Sequence, residues 1–321
     1  MISSSSIETR EFARAAALGL SDHPRWLPCR YLYDAEGSRL FERITETPEY
    51  YLTRTEISLL DGSTDAIAQI TGDATLVELG AGSARKTERI IAAYLRRYGA
   101  ARYVPVDVSG EALAETTSAL AARYPSPTLA VRGVHGTYES VFPLLPSLSP
   151  LVLLFLGSTI GNLNQTEADV FWSNVRCALS PGDFMLLGVD LVKDAATIDR
   201  AYNDAAGWSA AFTKNIFARM NRELGSEIDL GGIDHEAAYR PEWQRVEIFA
   251  RMTRHQEIRL APLGRTITLE AGERVMTEIS RKFELTELHE YLGLFDLETL
   301  QTFTDPARSY ALLLLRRNRD D

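Results

Sequence analysis

Through the middle of the chain, short apolar runs alternate with longer segments whose apolar residues recur every three to four positions. In order these are helix EISLLDGSTDAIAQI, strand TLVEL, a glycine turn GAGS, helix KTERIIAAYLRRYG, strand RYVPVDV and helix GEALAETTSALAARY. Strands TLAVRGV and LVLLFLG, helix TEADVFWSNVRCAL and strand FMLLGVDL follow. Unbroken apolar strands between amphipathic helices predict an α/β fold, with a parallel sheet covered on both faces. Ligands of such sheets lie over the carboxyl ends of the strands.

Outside this run the rhythm changes. The N-terminal region reads as helices EFARAAALGL and GSRLFERIT, then a loop TPEYYLTRTE. After DLVKD comes one long helical stretch, ATIDRAYNDAAGWSAAFTKNIFARMNREL, and then strand-like QRVEIFARM, QEIRLAPL, RTITLE and VMTEIS. Helix ELHEYLGLF and the apolar strand SYALLLLRR come last, and that strand is expected to close the sheet. The expected division is a doubly wound domain over 55–194 and 283–321, with a second lobe over 1–54 and 195–282.

As a strand, ERVMTEISRKF points Val275, Thr277 and Ile279 to one face and Met276, Glu278 and Ser280 to the other. A carboxylate and a hydroxyl side by side on one face are either solvated or arranged for a ligand.

Composition narrows the partner. A net charge of −10 without a basic run argues against binding a phosphate backbone. A small molecule is the expected partner, with no nucleic acid and no membrane; the apolar run LVLLFLG is too short to span one. The 2 cysteines, Cys29 and Cys177, and the 5 scattered histidines form no metal-type spacing, so no metal is expected. MISSSSIETR lacks the apolar core of a signal peptide. The expectation is a cytoplasmic protein, and the acidic surface leans toward a monomer.

TLVELGAGSARKT places Gly80 and Gly82 between a strand and a helix, where glycine permits a sharp turn and close approach to a ligand. A purely structural turn is the alternative. Asp107 ends the next strand, about 25 residues on, where a carboxylate can hold a ribose diol. The third glycine of a dinucleotide fingerprint is replaced by Arg85, which leaves a poorer pyrophosphate cradle. ELGAGS followed by VDVS therefore looks like the S-adenosylmethionine site of a Rossmann-like class I methyltransferase. A dehydrogenase is the competing class. Tyr138, in HGTYES, is placed either to stack on an adenine or to pack in the core.

Six segments occur in order: YLYDAEGSRLFERITETPEYYLTRTE, TLVELGAGSARKT, FLGSTIGNL, MLLGVDLVKD, RAYNDAAGWSAAF and MTEISRKF. Together they resemble the histidine-specific methyltransferases of ergothioneine biosynthesis, over nearly the whole chain from about residue 25. The resemblance implies a Rossmann-like domain with a second, substrate-binding lobe. It implies three successive methyl transfers from S-adenosylmethionine to the α-amine of L-histidine, giving hercynine. By the same resemblance Tyr33, Gly80, Lys86 and Asp107 would line the cofactor site, with Thr137 and Tyr138 flanking the adenine. Tyr50, Gly157, Asn162 and Tyr202 would hold the amino acid's amine and carboxylate, and Glu278 and Ser280 its ring.

Groups at i and i+2 on a strand are roughly 6–7 Å apart at the backbone, so Glu278 and Ser280 can converge on a ring bearing N–H groups. A carboxylate there selects a donor-rich side chain and rejects apolar ones that would leave it unpaired. Tyr50, Asn162 and Tyr202 are the expected catalytic set, orienting the amine toward the methyl group with water taking the proton; no dedicated general base is evident. Each has a plainer alternative: packing for Tyr50 and Tyr202, a helix cap near Gln165 for Asn162, a solvated first turn for Lys86. The sequence departs from the family at Thr137, where several members carry an acid, at Ile248, where a methionine is common, and at Trp208–Ser209, which replaces a smaller pair. These changes keep arginine open as an alternative substrate, and a silent binding protein remains the third class.

Overall fold

The computed structural model describes residues 4–318, so the first three residues of MISSSSIETR lie outside it. The chain divides into two compact units, one of residues 1–50 and 194–280, the other of residues 51–193 and 281–321.

The elements run, in chain order, α1 (Ser4–Ser21), β1 (Arg25–Trp26), α2 (Ala35–Glu46) and α3 (Tyr51–Thr71). Then come β2 (Thr75–Leu79), α4 (Thr87–Tyr98), β3 (Ala101–Asp107), α5 (Gly110–Arg123), β4 (Leu129–Val131) and β5 (Val134–His135). Next are α6 (Tyr138–Val141), β6 (Leu151–Phe155), α7 (Gln165–Ala178), β7 (Phe184–Asp190), α8 (Ala195–Ala201) and α9 (Trp208–Leu224). The last group is β8 (Ile233–Arg240), β9 (Arg245–Met252), β10 (Gln256–Leu260), β11 (Arg265–Leu269), β12 (Arg274–Arg281), α10 (Leu285–Gly293), β13 (Leu297–Thr304) and β14 (Tyr310–Arg317).

In the unit of residues 51–193 and 281–321, an eight-stranded sheet has the order β13-β14-β7-β6-β2-β3-β4, with β5 also pairing with β3. The strands from β7 to β4 are parallel, and β14 and β13 add antiparallel at one edge. Every residue of TLVEL and LVLLF is buried, as expected of central strands covered on both faces. The chain leaves β2 toward β3 on one side and returns to β6 on the other. That reversal is the switch point where doubly wound sheets leave a crevice for ligands.

The other unit contains a four-stranded sheet of order β1-β12-β9-β8 and a hairpin of β10 with β11. Val275, Thr277 and Ile279 of β12 are buried, Met276 and Glu278 are half-buried, and Ser280 is buried on the Glu278 face. The alternation is therefore present, with a second face more enclosed than a solvated one.

Several elements differ from expectation. YLTRTE begins α3 instead of forming a loop. The long helix breaks into α8 and α9, because Asp204 accepts the N–H groups of Trp208 and Ser209 and Gly207 adopts φ 78°. TLAVRGV splits into β4 and β5. β8 and β13 were not anticipated: IDHEAAYR has few β-branched residues, and LETLQTFT is an edge strand with mixed polarity. Among the described residues no helix is long and apolar enough to cross a membrane, and no group of three or more His, Cys, Asp or Glu could hold a metal ion.

Candidate active site

In the sheet-centred unit, β2 runs directly into the glycine turn. Gly80 has φ 70° and Gly82 φ 50°, backbone that a side chain disfavours. The Gly80 and Ala81 N–H groups donate to the Val106 carbonyl at 2.8 and 3.1 Å, hooking the turn onto the end of β3. The Asp107 carboxylate then accepts the N–H of Gly82 at 2.9 Å and that of Ser109 at 2.8 Å. Thr116 of α5 donates its hydroxyl to the Gly82 carbonyl at 2.6 Å. A Cβ at Gly82 would meet nothing within 4 Å, so the turn faces open space.

A Cβ at Gly80 would lie 3.6 Å from the Tyr138 hydroxyl, which brings Tyr138 to the turn. Its ring packs edge-on against Phe155 and Phe171 at 5.2 and 6.2 Å. Tyr138 is thus half-buried, its ring packed in the core and its hydroxyl beside the glycine turn. Thr137 immediately precedes α6 and is exposed.

Glu78, one residue before the end of β2, was not singled out from sequence. It is buried, accepts the Thr87 hydroxyl at 2.6 Å and is also bonded to Tyr103. It therefore braces β2 to both α4 and β3 beneath the turn. Burial pushes its carboxyl up to about 7, against the two hydroxyl bonds, and drives the Tyr103 phenol well above its usual range.

Lys86 stands at the N-terminus of α4, and its ammonium pairs with Glu56 at 2.8 Å. Glu56 is wholly buried; it also accepts the Gly157 N–H at 2.8 and 3.0 Å and the Tyr310 hydroxyl at 2.8 Å. The sequence carries a signal for it that the strand-and-turn motifs do not include. The buried positions of α3 include Leu52, Glu56, Leu60, Ser63, Thr64 and Ile67, so a carboxylate occupies the apolar stripe. A buried acid on such a stripe calls for partners.

Beyond β6 the chain takes two left-handed residues in succession, Gly157 at φ 75° and Ser158 at φ 57°. A non-glycine residue in that region marks local strain. The Ser158 hydroxyl accepts the Asp190 N–H at 2.9 Å, which holds it there. The following turn, Thr159–Asn162, ends on Asn162. Asn162 does not cap α7: Asn164 does, in a reciprocal capping box with Glu167. A Cβ at Gly161 would lie 2.8 Å from the Arg281 carbonyl oxygen, so the turn packs backbone to backbone there.

In the other unit, Tyr33, Phe41, Tyr50, Tyr202 and Phe212 form an aromatic group. Tyr33 meets Phe41 and Phe212 at 5.8 and 5.2 Å, and Tyr50 meets Phe41 and Tyr202 edge-on at 6.0 and 6.1 Å. Tyr33 thus belongs to a different unit from Gly80, Lys86, Asp107 and Tyr138. The Tyr202 hydroxyl bonds Ser280 at 2.7 Å, joining two of the expected substrate residues. His235 holds this corner: Nε2 lies 2.9 Å from the Tyr202 carbonyl and Nδ1 2.9 Å from the Thr213 hydroxyl. The carbonyl can only accept, so Nε2 carries the proton. Burial depresses the ring's pKa below its ordinary value, outweighing the carbonyl bond. Trp208 starts α9 and is partly exposed, whereas Ser209 and Ile248 are buried.

The sheet-centred unit therefore offers a left-handed glycine turn with open space, a carboxylate at the end of the adjoining strand, a tyrosine hydroxyl beside Gly80 and an ammonium at a helix N-terminus. These groups fit a nucleoside bearing an amino-acid tail, and with the sheet order they define an S-adenosylmethionine-dependent methyltransferase. Over residues 12–317 the chain matches the sequence model of the family described as histidine-specific, SAM-dependent methyltransferases, and it belongs to that family. It is 38% identical to the histidine N-alpha-methyltransferase of Mycolicibacterium smegmatis, covering 95% of this chain and 94% of that protein. Identity is 36% to the enzyme of the same name from Mycobacterium tuberculosis, covering 92% of each. The L-tryptophan methyltransferase trpM of Psilocybe serbica is 28% identical, covering 98% of this chain and 96% of that protein.

Proposed function

We propose that the protein transfers methyl groups from S-adenosylmethionine to the α-amine of free L-histidine, three in turn, to give the betaine hercynine. The observation that carries this reading is the match to a histidine-specific family across residues 12–317. The 36–38% identity to two histidine N-alpha-methyltransferases supports the same substrate.

When bound, S-adenosylmethionine supplies a methyl group already activated on sulfur. The protein's part is alignment and exclusion of water. In this reading Asp107 holds the ribose, Tyr138 and Thr137 flank the adenine, and Lys86 and Tyr33 complete the donor site. Tyr50, Gly157, Asn162 and Tyr202 hold the amine and carboxylate of the amino acid, and water takes the amine's proton. Glu278 and Ser280 receive the imidazole. The enclosed face of β12 supports that role, because a half-buried carboxylate gains most from a ligand that donates to it. Tyrosine faces suit the trimethylammonium that accumulates. The protein acts as a cytoplasmic monomer and engages neither nucleic acid nor membrane.

The test is mass spectrometry of purified protein incubated with S-adenosylmethionine and a panel containing histidine, arginine and tryptophan. Histidine gaining three methyl groups on its α-nitrogen is the expected result. Modification of another amino acid with histidine untouched overturns the substrate. A silent binding protein gives no product at all.

A further inference from the structure

We infer that Glu56 is the positioning residue for the amino-acid end of the methyl donor, acting through Lys86. The inference rests on the methyltransferase reading above and goes beyond it by assigning which end of the donor Lys86 meets and what aims it.

The pocket around Glu56 is built for a carboxylate. Gly188 of β7 leaves the space: a Cβ there would lie 2.1 Å from Glu56 Oε1 and 2.8 Å from the Tyr310 hydroxyl. Three donors from separate elements then converge on it: the Tyr310 hydroxyl of β14, the Gly157 N–H beyond β6 and the Lys86 ammonium. So elaborate a seat for a fully buried acid implies that its charge is used, since an apolar residue would fill the space at no desolvation cost.

Lys86 is the partner with an open side. Its side chain keeps 25% of its exposure while Glu56 keeps none. A lysine stem is flexible, and an unheld ammonium on it samples many positions. Glu56 holds that ammonium at 2.8 Å, at the N-cap position of α4, while the lysine side chain stays partly exposed. An ammonium and a helix N-terminus together favour an anion. S-adenosylmethionine carries one, the carboxylate of its amino-acid end; its adenine and ribose are neutral. A Cβ on Gly157 would come within 2.9 Å of the Lys86 nitrogen, so the same carboxylate also sets the turn beside the ammonium.

The experiment compares two adenosine ligands by calorimetry: S-adenosylmethionine, and 5′-methylthioadenosine, which lacks the amino-acid end. Glu56→Gln keeps the shape but removes the charge that holds Lys86. It should weaken S-adenosylmethionine on the order of tenfold while methylthioadenosine binds within about twofold of the parent protein. In a Glu56→Gln, Lys86→Met cycle the two losses should not add, because both act through one ammonium. If Glu56→Gln does not fold, Glu56→Asp draws the carboxylate back by one methylene and should give the same split. Equal weakening of both ligands, no weakening of either, or strictly additive losses overturns the inference. If the parent protein binds neither ligand, the methyltransferase reading fails instead.

Discussion

In the sheet-centred unit, the segments that follow the strands are held by carboxylates, those of Glu56 and Asp190 buried and that of Asp107 half-buried. Glu56 grips Lys86 and Gly157, Asp107 grips the glycine turn, and Asp190 gathers Tyr51, Lys193 and Lys282. In the other unit the corner around Tyr50 and Tyr202 is held mainly by neutral groups, the rings of Tyr33, Phe41, Tyr50 and Phe212, the Tyr202–Ser280 hydroxyl pair and His235, while the buried Asp204 carboxylate caps α9 nearby in the chain. The first kind of anchoring is strong, directional and intolerant of losing one partner. The second adapts more readily, since rings and hydroxyls accept small shifts at a modest net cost. This contrast suits the proposed ligands. A donor with a fixed carboxylate rewards fixed charges, and an amine that grows by a methyl group at each turn rewards surfaces without them.

The contrast breaks most visibly at Asp190. Its carboxylate is wholly buried, pairs with Lys282 at 3.0 Å and with Lys193, and accepts the Tyr51 hydroxyl at 2.8 Å. These three partners lie at or beside the places where the chain enters or leaves this unit, between residues 50 and 51, 193 and 194, and 280 and 281. Asp190→Ala leaves two lysines without their shared counter-charge and should cost about 3–5 kcal/mol. Urea unfolding followed by tryptophan fluorescence measures it. A loss under about 1 kcal/mol would mean that the cluster behaves like a surface pair.

A second test sets the two units against each other in pH. Glu78 has its carboxyl raised from 4.5 to about 7 in the folded state, so the folded protein binds the extra proton between those values. Its contribution is present below about 4.5 and is lost as pH rises toward 7, to a limit of about 3 kcal/mol. His235 runs the other way. Its folded pKa lies below 6.5, so its contribution is present above 6.5 and is lost as pH falls below that value. Unfolding curves from pH 4 to 8 for Glu78→Gln and His235→Gln, each subtracted from the parent's, should have opposite slopes. Equal signs would refute the assignment of a protonated acid under one turn and a neutral imidazole behind the other.

Gly157→Ala probes the strained turn itself. The substitution puts a Cβ at φ 75°, 2.9 Å from the Lys86 nitrogen. The lysine tip can yield, so the backbone conformation sets the cost, about 1–2 kcal/mol. Differential scanning calorimetry should show the matching fall in Tm, and an unchanged Tm would mean that residue 157 tolerates a side chain there.

How much of this was legible depended on what each feature writes into the sequence. The central strands were plain, because full burial on both faces demands the unbroken apolar runs TLVEL and LVLLF. The Gly80 turn and Asp107 were plain for a local reason, since a left-handed backbone after a strand leaves glycines in a fixed place. Glu56, Asp190 and Lys282 were not recognised as a group. Their partners are distant in sequence, with Glu56 reaching Tyr310 and Asp190 reaching Tyr51, and no periodicity encodes such pairings. The break between α8 and α9 was written locally, in the Asn203–Asp204 and Gly207 punctuation, but the apolar periodicity on both sides masked it. Glu278 and Ser280 fall between these cases. Alternation placed them on one face of a strand, whereas the burial of that face is set by the remainder of the fold.

The smallest expected effect is the most informative about the aromatic corner around Tyr202. Tyr202→Phe removes the hydroxyl that bonds Ser280 at 2.7 Å and leaves ring packing against Tyr50 intact. Ser280 is buried, so its own hydroxyl loses a partner, at a cost of about 1 kcal/mol in stability. If Tyr202 also bonds the amino acid, as proposed, KM for histidine should rise on the order of tenfold, while KM for S-adenosylmethionine stays near that of the parent. Ser280→Ala removes the other end of the same bond, and a role limited to packing predicts equal small stability losses in both variants with KM unchanged. Steady-state kinetics with each substrate varied in turn decides between them. A rise confined to histidine places the Tyr202–Ser280 pair in substrate recognition, whereas a rise in both constants means that the loss has spread beyond the amino-acid site and that this corner adapts less than its rings and hydroxyls suggest.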